Sequence, residues 1–574
     1  MKRMSPVNPF TTFNRVCRTG LRSVVLSALL LPVLLSAQKP QWMAQAGGSA
    51  FEEGRSLAVD PQGNVYVAGT FAGTTHLGAV QLSSKGIFDV FFAKYDPSGQ
   101  LLWARQVGGT GVDAGYGLAL DGQGNIYLTG NFTGQSDFDP GPGTFNLAST
   151  GSFDIFLAKY DPDGQLLWAR TMGGLLYQEA TGIGVDAAGQ VTLAGSFMGQ
   201  SDFDPGPGAA LLEAAAGVSD LYLAQYDAAG NLRWVRQLRG NGSNRVLDLA
   251  SGPGGNICIT GQFENTTDFD PSGGEWELTA AGSFDVFVAR FDPTGQLDWA
   301  RAIGGNSFDD GQGIAVDSTG SVYLTGRFHN TVDFDPGAGE RLLTAVEFSD
   351  VFLARYDAAG QLDWAHRVGS DLPDAGSAVA ADPAGGVWLS GQFLGTADFD
   401  PSDEVAELTP AGDFDIFLAR YDAGGHLTSA ARIGGTNMEE SFALATDAGQ
   451  HVYLAGLFKG TADFHPGVDV EAMTSGGEED MFVVKYRGES TAAPALPSVP
   501  ARVYPVPARD LLYVEWPGPA EDGRITIFDQ AGRVAYSRNE KTTAVDLSGW
   551  ENGSYYLLLD TGTGRQVSVF QVLK

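Results

Sequence analysis

Between residues 41 and 486 the chain alternates short apolar runs with Asp/Gly-rich breaks. In "VYLTG" (Val322–Gly326) and "VFLAR" (Val351–Arg355) apolar residues take every second position, the period of a strand. No segment repeats its apolar residues at a helical period. The runs are joined in pairs by turn chemistry such as "DSTGS" and "YDAAGQ", where Asp and Gly supply the local hydrogen bonds and the positive φ that a reversal needs. Tryptophan marks the larger repeat. Trp42, Trp103, Trp168, Trp234, Trp299 and Trp364 are spaced by 61, 65, 66, 65 and 65 residues, and Ser429 stands 65 further on. Four strands per unit at this period predict an all-β chain whose main part is a seven-bladed β-propeller.

The order of the runs predicts how the ring closes. "WARQVGG"-type segments occur at all seven positions, whereas the last "DVFLARYD"-type segment is "DMFVVKY" at Asp480–Tyr486, with no fourth strand after it. Gln41–Ala46 is a fourth strand with no partners before it. The expectation is that this N-terminal strand completes the blade built from 429–486, leaving no open edge.

Length and composition add an address and exclusions. The chain has 574 residues, 43% hydrophobic and 11% aromatic, with 78 glycines, enough to bury a large core. Its formal charge of −33 argues against nucleic acid, whose phosphates need a basic face. Residues 1–37 hold five Lys/Arg and no acid, ahead of "VVLSALLLPVLL" (Val24–Leu35) and the small residues Ser36 and Ala37. This reads as an export signal, too short for a membrane span. Cys17 precedes the apolar run, so no lipidation site is read. Without the signal only Cys258 remains, a small apolar strand residue in "NICIT", and no intramolecular disulfide is expected. Residues 487–500 are a Pro-rich linker, and the alternating runs of 501–574 predict a small antiparallel β-sandwich.

The candidate chemistry lies in "DFDPG". The heptapeptide "DFDPGPG" starts at Asp137 and again at Asp202, and each blade places its counterpart between the second and third strands, on the same propeller face as the Gly-Gly segment. Five loops keep two acids: Asp137 with Asp139, Asp202 with Asp204, Asp268 with Asp270, Asp333 with Asp335, and Asp398 with Asp400. Each pair puts two carboxylates on one side of the loop, as a hard cation such as calcium requires. Asp463 is followed by His465, and the first blade has Thr75, His76 and Leu77 instead. The competing expectation is a Pro-Gly turn whose Asp side chains cap backbone amides. Further rim acids are expected at Glu52, Glu53, Asp113, Glu179, Asp309, Asp310, Asp374, Glu439 and Glu440, with Asn244 and Arg245 departing from the pattern. His76, His329, His366, His426, His451 and His465 are expected as solvated or turn residues, and neither a zinc-protease helix motif nor a nucleophile elbow occurs.

Two resemblances follow from these residues. "GGNSFDDGQGIAVDSTGSVYLTG" (Gly304–Gly326) resembles the SBBP-type bacterial β-propeller repeat over roughly 41–486, which implies the propeller fold and no particular reaction. Tyr504-Pro505 with Pro507-Ala508, Gly532-Arg533, and Gly553 before Tyr555 resemble the C-terminal sorting domain of the type IX secretion system, with Val506 where that family usually has Asn. That resemblance implies Sec export, engagement of the type IX machinery by 501–574, and release from or attachment to the outer surface of a Gram-negative bacterium. The expected function is binding, adhesion or scaffolding through an acidic rim toward a protein or glycan. The alternative is an extracellular hydrolase or lyase acting on polysaccharide.

Overall fold

The computed structural model describes residues 39–487, apart from 187, 338, 403 and 466–469, together with 502–504, 508–515, 524–528, 534–538, 544–550, 552–560 and 565–573. The expected signal segment, residues 488–500 of the expected linker, Pro505–Pro507 and Gly532-Arg533 lie outside the described residues. Apart from one 3-10 turn at Pro253–Gly255, the regular structure of the described residues is strand.

One unit shows the plan. Asp310–Val316 pairs antiparallel with Val322–Asp333, that strand with Leu342–Tyr356, and that one with Leu362–Val368. The same order runs through Glu52–Val59, Val65–Phe71, Asp89–Tyr95 and Leu101–Gly109 in the first unit. In the last unit, Glu439–Thr446, His451–Asp463 and Ala472–Arg487 take Pro40–Gly48 as their fourth strand, with Trp42 opposite Lys485 and Ala46 opposite Met481. A strand from the start of the described chain thus completes a sheet built some 440 residues later, where an unpaired edge would otherwise stand open.

Turn chemistry explains the hairpins. Asp317 Oδ1 accepts the Thr319 and Ser321 amides at 2.8 and 3.0 Å, and Asp357 Oδ1 accepts those of Ala359 and Gln361 at 2.8 and 2.9 Å. Gly320 and Gly360 follow at φ +86° and +72°, where a side chain would strain the backbone. The glycine inside each second strand answers to a close approach instead. A Cβ on Gly326 would fall 1.9 Å from the Asp310 carbonyl oxygen, beside the bulge of the first strand.

The core sits between units, because both faces of the middle strands are apolar. Val286 and Val288 of one unit pack with Val322, Leu324 and Phe352 of the next. Val65 and Phe91 of the first unit pack in the same way with Tyr453 and Met481 of the last. Tryptophan adds a clamp: Trp299 Nε1 donates to the Ala358 carbonyl in the next unit at 3.1 Å, and a Cβ on Gly360 would lie 2.7 Å from its ring. Trp42 makes the equivalent bond to Pro97 at 3.1 Å. Cys258 is buried, and burial pushes its thiol up to about 12, consistent with a packing role.

In the C-terminal region, Arg502–Tyr504, Leu511–Glu515 and Ala544–Asp546 form one antiparallel sheet, and Arg524–Phe528, Val534–Arg538, Gly553–Asp560 and Arg565–Val572 another. Leu512, Val545, Ile525, Leu557 and Phe570 share one buried cluster between them.

Replacing Trp299, which is 5% exposed, with Ala is expected to cost about 3–5 kcal/mol. Replacing Leu102, which is 50% exposed, with Ser should change stability by no more than about 0.5 kcal/mol. Denaturant unfolding of the two variants checks the contrast, and equal losses would refute the inter-unit clamp.

Candidate functional site

The DFDPG loops are anchored inward. Phe138, Phe203, Phe269, Phe334, Phe399 and Phe464 are each at most 1% exposed. Five of their carbonyls accept a tyrosine hydroxyl from the third strand, as in Tyr356 Oη to Phe334 at 2.9 Å, while Phe291 takes the tyrosine's place beside Phe269. Several of these loops pair with the end of the preceding unit's fourth strand, with Ser136 opposite Gly109, Asp202 opposite Gly173 and Asp268 opposite Arg239.

The loop carboxylates turn to the backbone. Asp333 Oδ1 accepts the amides of Asp335 and Arg341 at 3.0 and 2.8 Å, and Asp335 Oδ1 accepts that of Gly337 at 2.8 Å. The first acid of the other loops does the same: Asp137, Asp202, Asp268 and Asp398 each span their loop by accepting two amides. The second acid closes the turn at the proline that follows it. Asp139 accepts the Gly141 amide at 2.8 Å, Asp204 that of Gly206 at 2.8 Å, Asp270 that of Ser272 at 2.8 Å, and Asp400 that of Ser402 at 2.9 Å. Asp463 caps its own loop with His465 in the second place.

The cation expectation for these loops therefore meets a different geometry. Asp139, Asp204, Asp270, Asp335 and Asp400 are half-buried and each spends an oxygen on its own turn, as do Asp137, Asp202, Asp268, Asp333 and Asp398 before them. No group of three or more His, Cys, Asp or Glu side chains able to hold a metal occurs among the described residues. The physical reason is local. A side chain two residues before a free amide reaches that amide without help from any other element, so each carboxylate is drawn to its own loop.

The expected rim acids are not a displayed rim. Glu52, Asp113, Asp309, Asp374 and Glu439, at the start of the first strands, are at most 1% exposed. They pack at the junctions between units, against the aspartate that opens the preceding third strand (Asp480, Asp89, Asp285, Asp350 and Asp415). Sequence reading missed this second set, although an Asp begins "DVFLARYD" in every unit. The next residue along each strand points the other way, as strand alternation requires. Glu53, Glu179, Asp310 and Glu440 therefore face the middle of the repeat array.

There the first strands surround a cavity of about 530 Å³. Every first strand carries a bulge two residues beyond its second acid position, for instance between Gly54 and Ser56 and between Gly311 and Gly313. The bulged residues Arg55, Tyr116, Thr181, Leu247, Gln312, Ser377 and Phe442 line the cavity. A bulge re-aims a side chain, which is how one repeated strand delivers seven different groups to one space.

Three arginines are held there by carboxylates. Arg245 donates from Nε and Nη2 to Glu179 at 2.7 and 2.9 Å, and Glu179 also accepts from Ser196 and Tyr177 at 2.7 and 2.9 Å. Burial works against the Arg245 charge, but the Glu179 bonds outweigh it and raise the pKa. Arg327 reaches Asp310 at 3.1 Å and lies 5.0 Å over the Phe308 ring, while Arg55 reaches Glu53 at 2.8 Å and lies 4.4 Å over Phe442. Burial raises the carboxyls of Asp310 and Glu440, with Arg327 and Arg55 opposing it. In an adjoining cavity, Asp248 is pushed up to about 7 by burial and accepts the Ile314 amide of the next unit at 2.9 Å.

Arg245 stands out in the sequence as a departure from the repeat, but its partner Glu179 is 66 residues away. The histidine expectation is corrected at His329, a half-buried strand residue against Phe308, and at His366. His366 is half-buried, stacked on Trp364 at 4.8 Å and beside Tyr421, and burial lowers its pKa to about 4. His426 and His451 cap turn aspartates as expected.

Comparison with known proteins places these features. The beta-propeller repeat family model matches residues 41–70 and 102–138, and the secretion system C-terminal sorting domain model matches 502–572. Among curated proteins, an uncharacterised WD repeat-containing protein of Acanthamoeba polyphaga mimivirus is 22% identical over 73% of this chain, and the regulatory protein FlaEY of Caulobacter vibrioides is 25% identical over 60%. The chain spans only 36% and 43% of those relatives' lengths. Solved structures with a likeness include a gluconolactonase of Xanthomonas campestris (14% identity, 63% of this chain and 90% of that one, TM-score 0.27). PorZ, a surface component of the type IX secretion system of Porphyromonas gingivalis, is another (12% identity, 93% and 100%, TM-score 0.18). No helix of the described residues is long and apolar enough to cross a membrane. The chain is thus an all-β protein that carries SBBP-type β-propeller repeats and, at residues 502–572, a sorting domain that directs type IX secretion to the cell surface or the medium.

Proposed function

We propose that this protein is an exported binding module. Residues 41–486 form a seven-bladed propeller closed by the N-terminal strand, and 501–574 form a β-sandwich that engages the type IX machinery. The pairing of Pro40–Gly48 with Ala472–Arg487 and the apolar cluster shared by the first and last units support the closed ring. The two small sheets around one core support the sandwich.

One observation carries the binding reading: the seven bulged positions that face the cavity all differ, while the buried positions around them repeat. A purely structural channel has no need of that asymmetry. Guanidinium groups held by carboxylates offer fixed donors, neighbouring carboxylates offer acceptors, and Tyr116, Phe308 and Phe442 offer ring faces. Matched charges with aromatic walls suit a polyhydroxylated saccharide better than a strongly charged ligand. Arrayed neutral and acidic glycans are the probe. Binding to neutral glycans should weaken at least about tenfold, or about 1.4 kcal/mol, in Arg245→Ala and in Tyr116→Ala. Undiminished binding in both variants would move the site elsewhere, and no glycan bound would refute the saccharide reading.

The second reading, a polysaccharide hydrolase or lyase, rests on Asp310 and Glu440, two cavity acids whose pKa values burial raises. Shortening of a bound oligosaccharide that disappears in Glu440→Gln would establish it.

For the DFDPG loops the hydrogen bonds support a turn-building role. Calcium is the competing proposal, held by Asp137 with Asp139, Asp202 with Asp204, Asp268 with Asp270, Asp333 with Asp335, and Asp398 with Asp400. A ligand of the native state must raise its melting temperature. The expected result is the same melting temperature for the full chain in calcium and in EDTA. A calcium-dependent rise with several sites per chain would make the loops metal sites.

A further inference from the structure

We propose that Glu52 and Glu439, at the two flanks of the last unit, are each held as a neutral carboxylic acid that shares its proton with a buried aspartate, Asp480 and Asp415. Closure of the repeat array is then tied to protonation.

The geometry comes first. Glu52, Asp480, Glu439 and Asp415 are all 0% exposed. Gly47 covers Asp480 so closely that a Cβ there would fall 1.8 Å from Oδ2, and a Cβ on Gly434 would lie 2.6 Å from both Asp415 Cγ and Glu439 Oε2. Neither Glu52 oxygen accepts a well-formed hydrogen bond, and Asp480 Oδ1, Glu439 Oε1 and Asp415 Oδ1 also lack one. Leaving several anionic oxygens buried and unpartnered is costly, and a proton between the two carboxyls removes that cost.

The repeat supplies an internal control. The equivalent position in the third unit is Gln178. Its Oε1 accepts the Gly174 amide at 3.1 Å, just as Glu439 Oε2 accepts that of Gly435 at 2.9 Å. The other terminal atom of Gln178 is therefore an NH₂ donor, which makes no well-formed hydrogen bond itself, as Asp154 Oδ1 of the aspartate that opens the preceding third strand also makes none. A glutamate in that frame provides a donor only when protonated.

The charged surroundings agree. Among the described residues, the charged group acting on Glu52 is Asp480, whose Oδ2 takes Gln45 Nε2 of the N-terminal strand at 2.7 Å and the Gly476 amide at 2.9 Å. Thr75 and the Gly48 backbone also lie beside Glu52, and their polar groups favour its charged form, against burial and Asp480. Glu439 faces Asp415 and Asp413, and Arg432 donates to Asp415 Oδ2 at 2.7 Å. Burial first, and then Asp480 or Asp415, pushes Glu52 and Glu439 each up to about 8, against the Gly435 amide and Arg432 at the second site. The folded state thus keeps protons that the unfolded chain releases near 4.5. Stability falls as pH rises through the interval from 4.5 to about 8. Turn aspartates with lowered pKa, such as Asp317 and Asp447, lose their contribution only in more acidic solution. Asp374 and Asp248, raised by burial to about 7, and Asp113 and Asp309, raised to about 6, add to the slope inside the window, whereas His366, lowered by burial to about 4, opposes it below 6.5.

Thermal melts of the full chain at pH 5.5 and pH 8.5 test the proposal. The wild type should melt lower at pH 8.5. Glu52→Gln combined with Glu439→Gln should melt higher than wild type at pH 8.5 and have a shallower pH slope, the remainder coming from Asp374 and Asp248. Gln178→Glu should steepen the slope, a gain that simple damage to packing would not produce. A wild type that melts equally or higher at pH 8.5, or a double variant with an unchanged slope, would overturn the proposal.

Discussion

Each sheet of this protein depends on its neighbours. A single unit offers apolar residues on both faces of its middle strands, so neither face is satisfied until a sheet stands on each side. Stability is therefore distributed over the contacts between units rather than gathered in one centre, and each unit's contribution is conditional on the next. The fourth strand supplied by Pro40–Gly48 follows from the same constraint. Without it, the last sheet would present both an open edge and an uncovered apolar face.

Acidic residues fill several distinct roles in this frame. Those in the turns and in the DFDPG loops replace missing strand partners by accepting backbone amides. Those at the junctions are buried beneath glycine and oppose one another, so their burial is offset by amide hydrogen bonds, an arginine or a proton. Those facing the cavity hold arginines in place. One strand alternation separates the last two roles, with Glu52 turned to the junction and Glu53 to the cavity.

Similar repeats leave function to the positions where they differ. The apolar positions and the turns are shared because every unit solves the same packing problem. The bulged residue of the first strand stands outside the apolar packing between sheets, and it is also the residue that the backbone aims at the cavity. Arg55, Tyr116 and Phe442 therefore answer to a different physical demand from Phe334 or Trp299. The sorting domain adds an address without adding to this site.

Much of the architecture was legible in the sequence, because strand period, turn residues and the spacing of tryptophan are local or strictly repeated. The missing fourth strand after Tyr486 could be inferred by counting, since hydrogen bonding leaves few places for an orphan strand. The burial of Glu52 and Glu439, the partnership of Arg245 with Glu179, and the stacking of His366 could not. Each depends on which side of a strand faces a neighbouring sheet, and the bulge that sets this is invisible in composition or period. For the DFDPG acids both outcomes were open, because Asp139 or Asp400 reads the same whether its oxygens face an ion or its own turn. The sequence by itself determined the strands, their turns, the repeat and the export address, because those follow from local chemistry. The tertiary structure alone decided which acids are buried, which are paired and which residues meet in the cavity, because burial and charge pairing arise between residues some 65 positions apart.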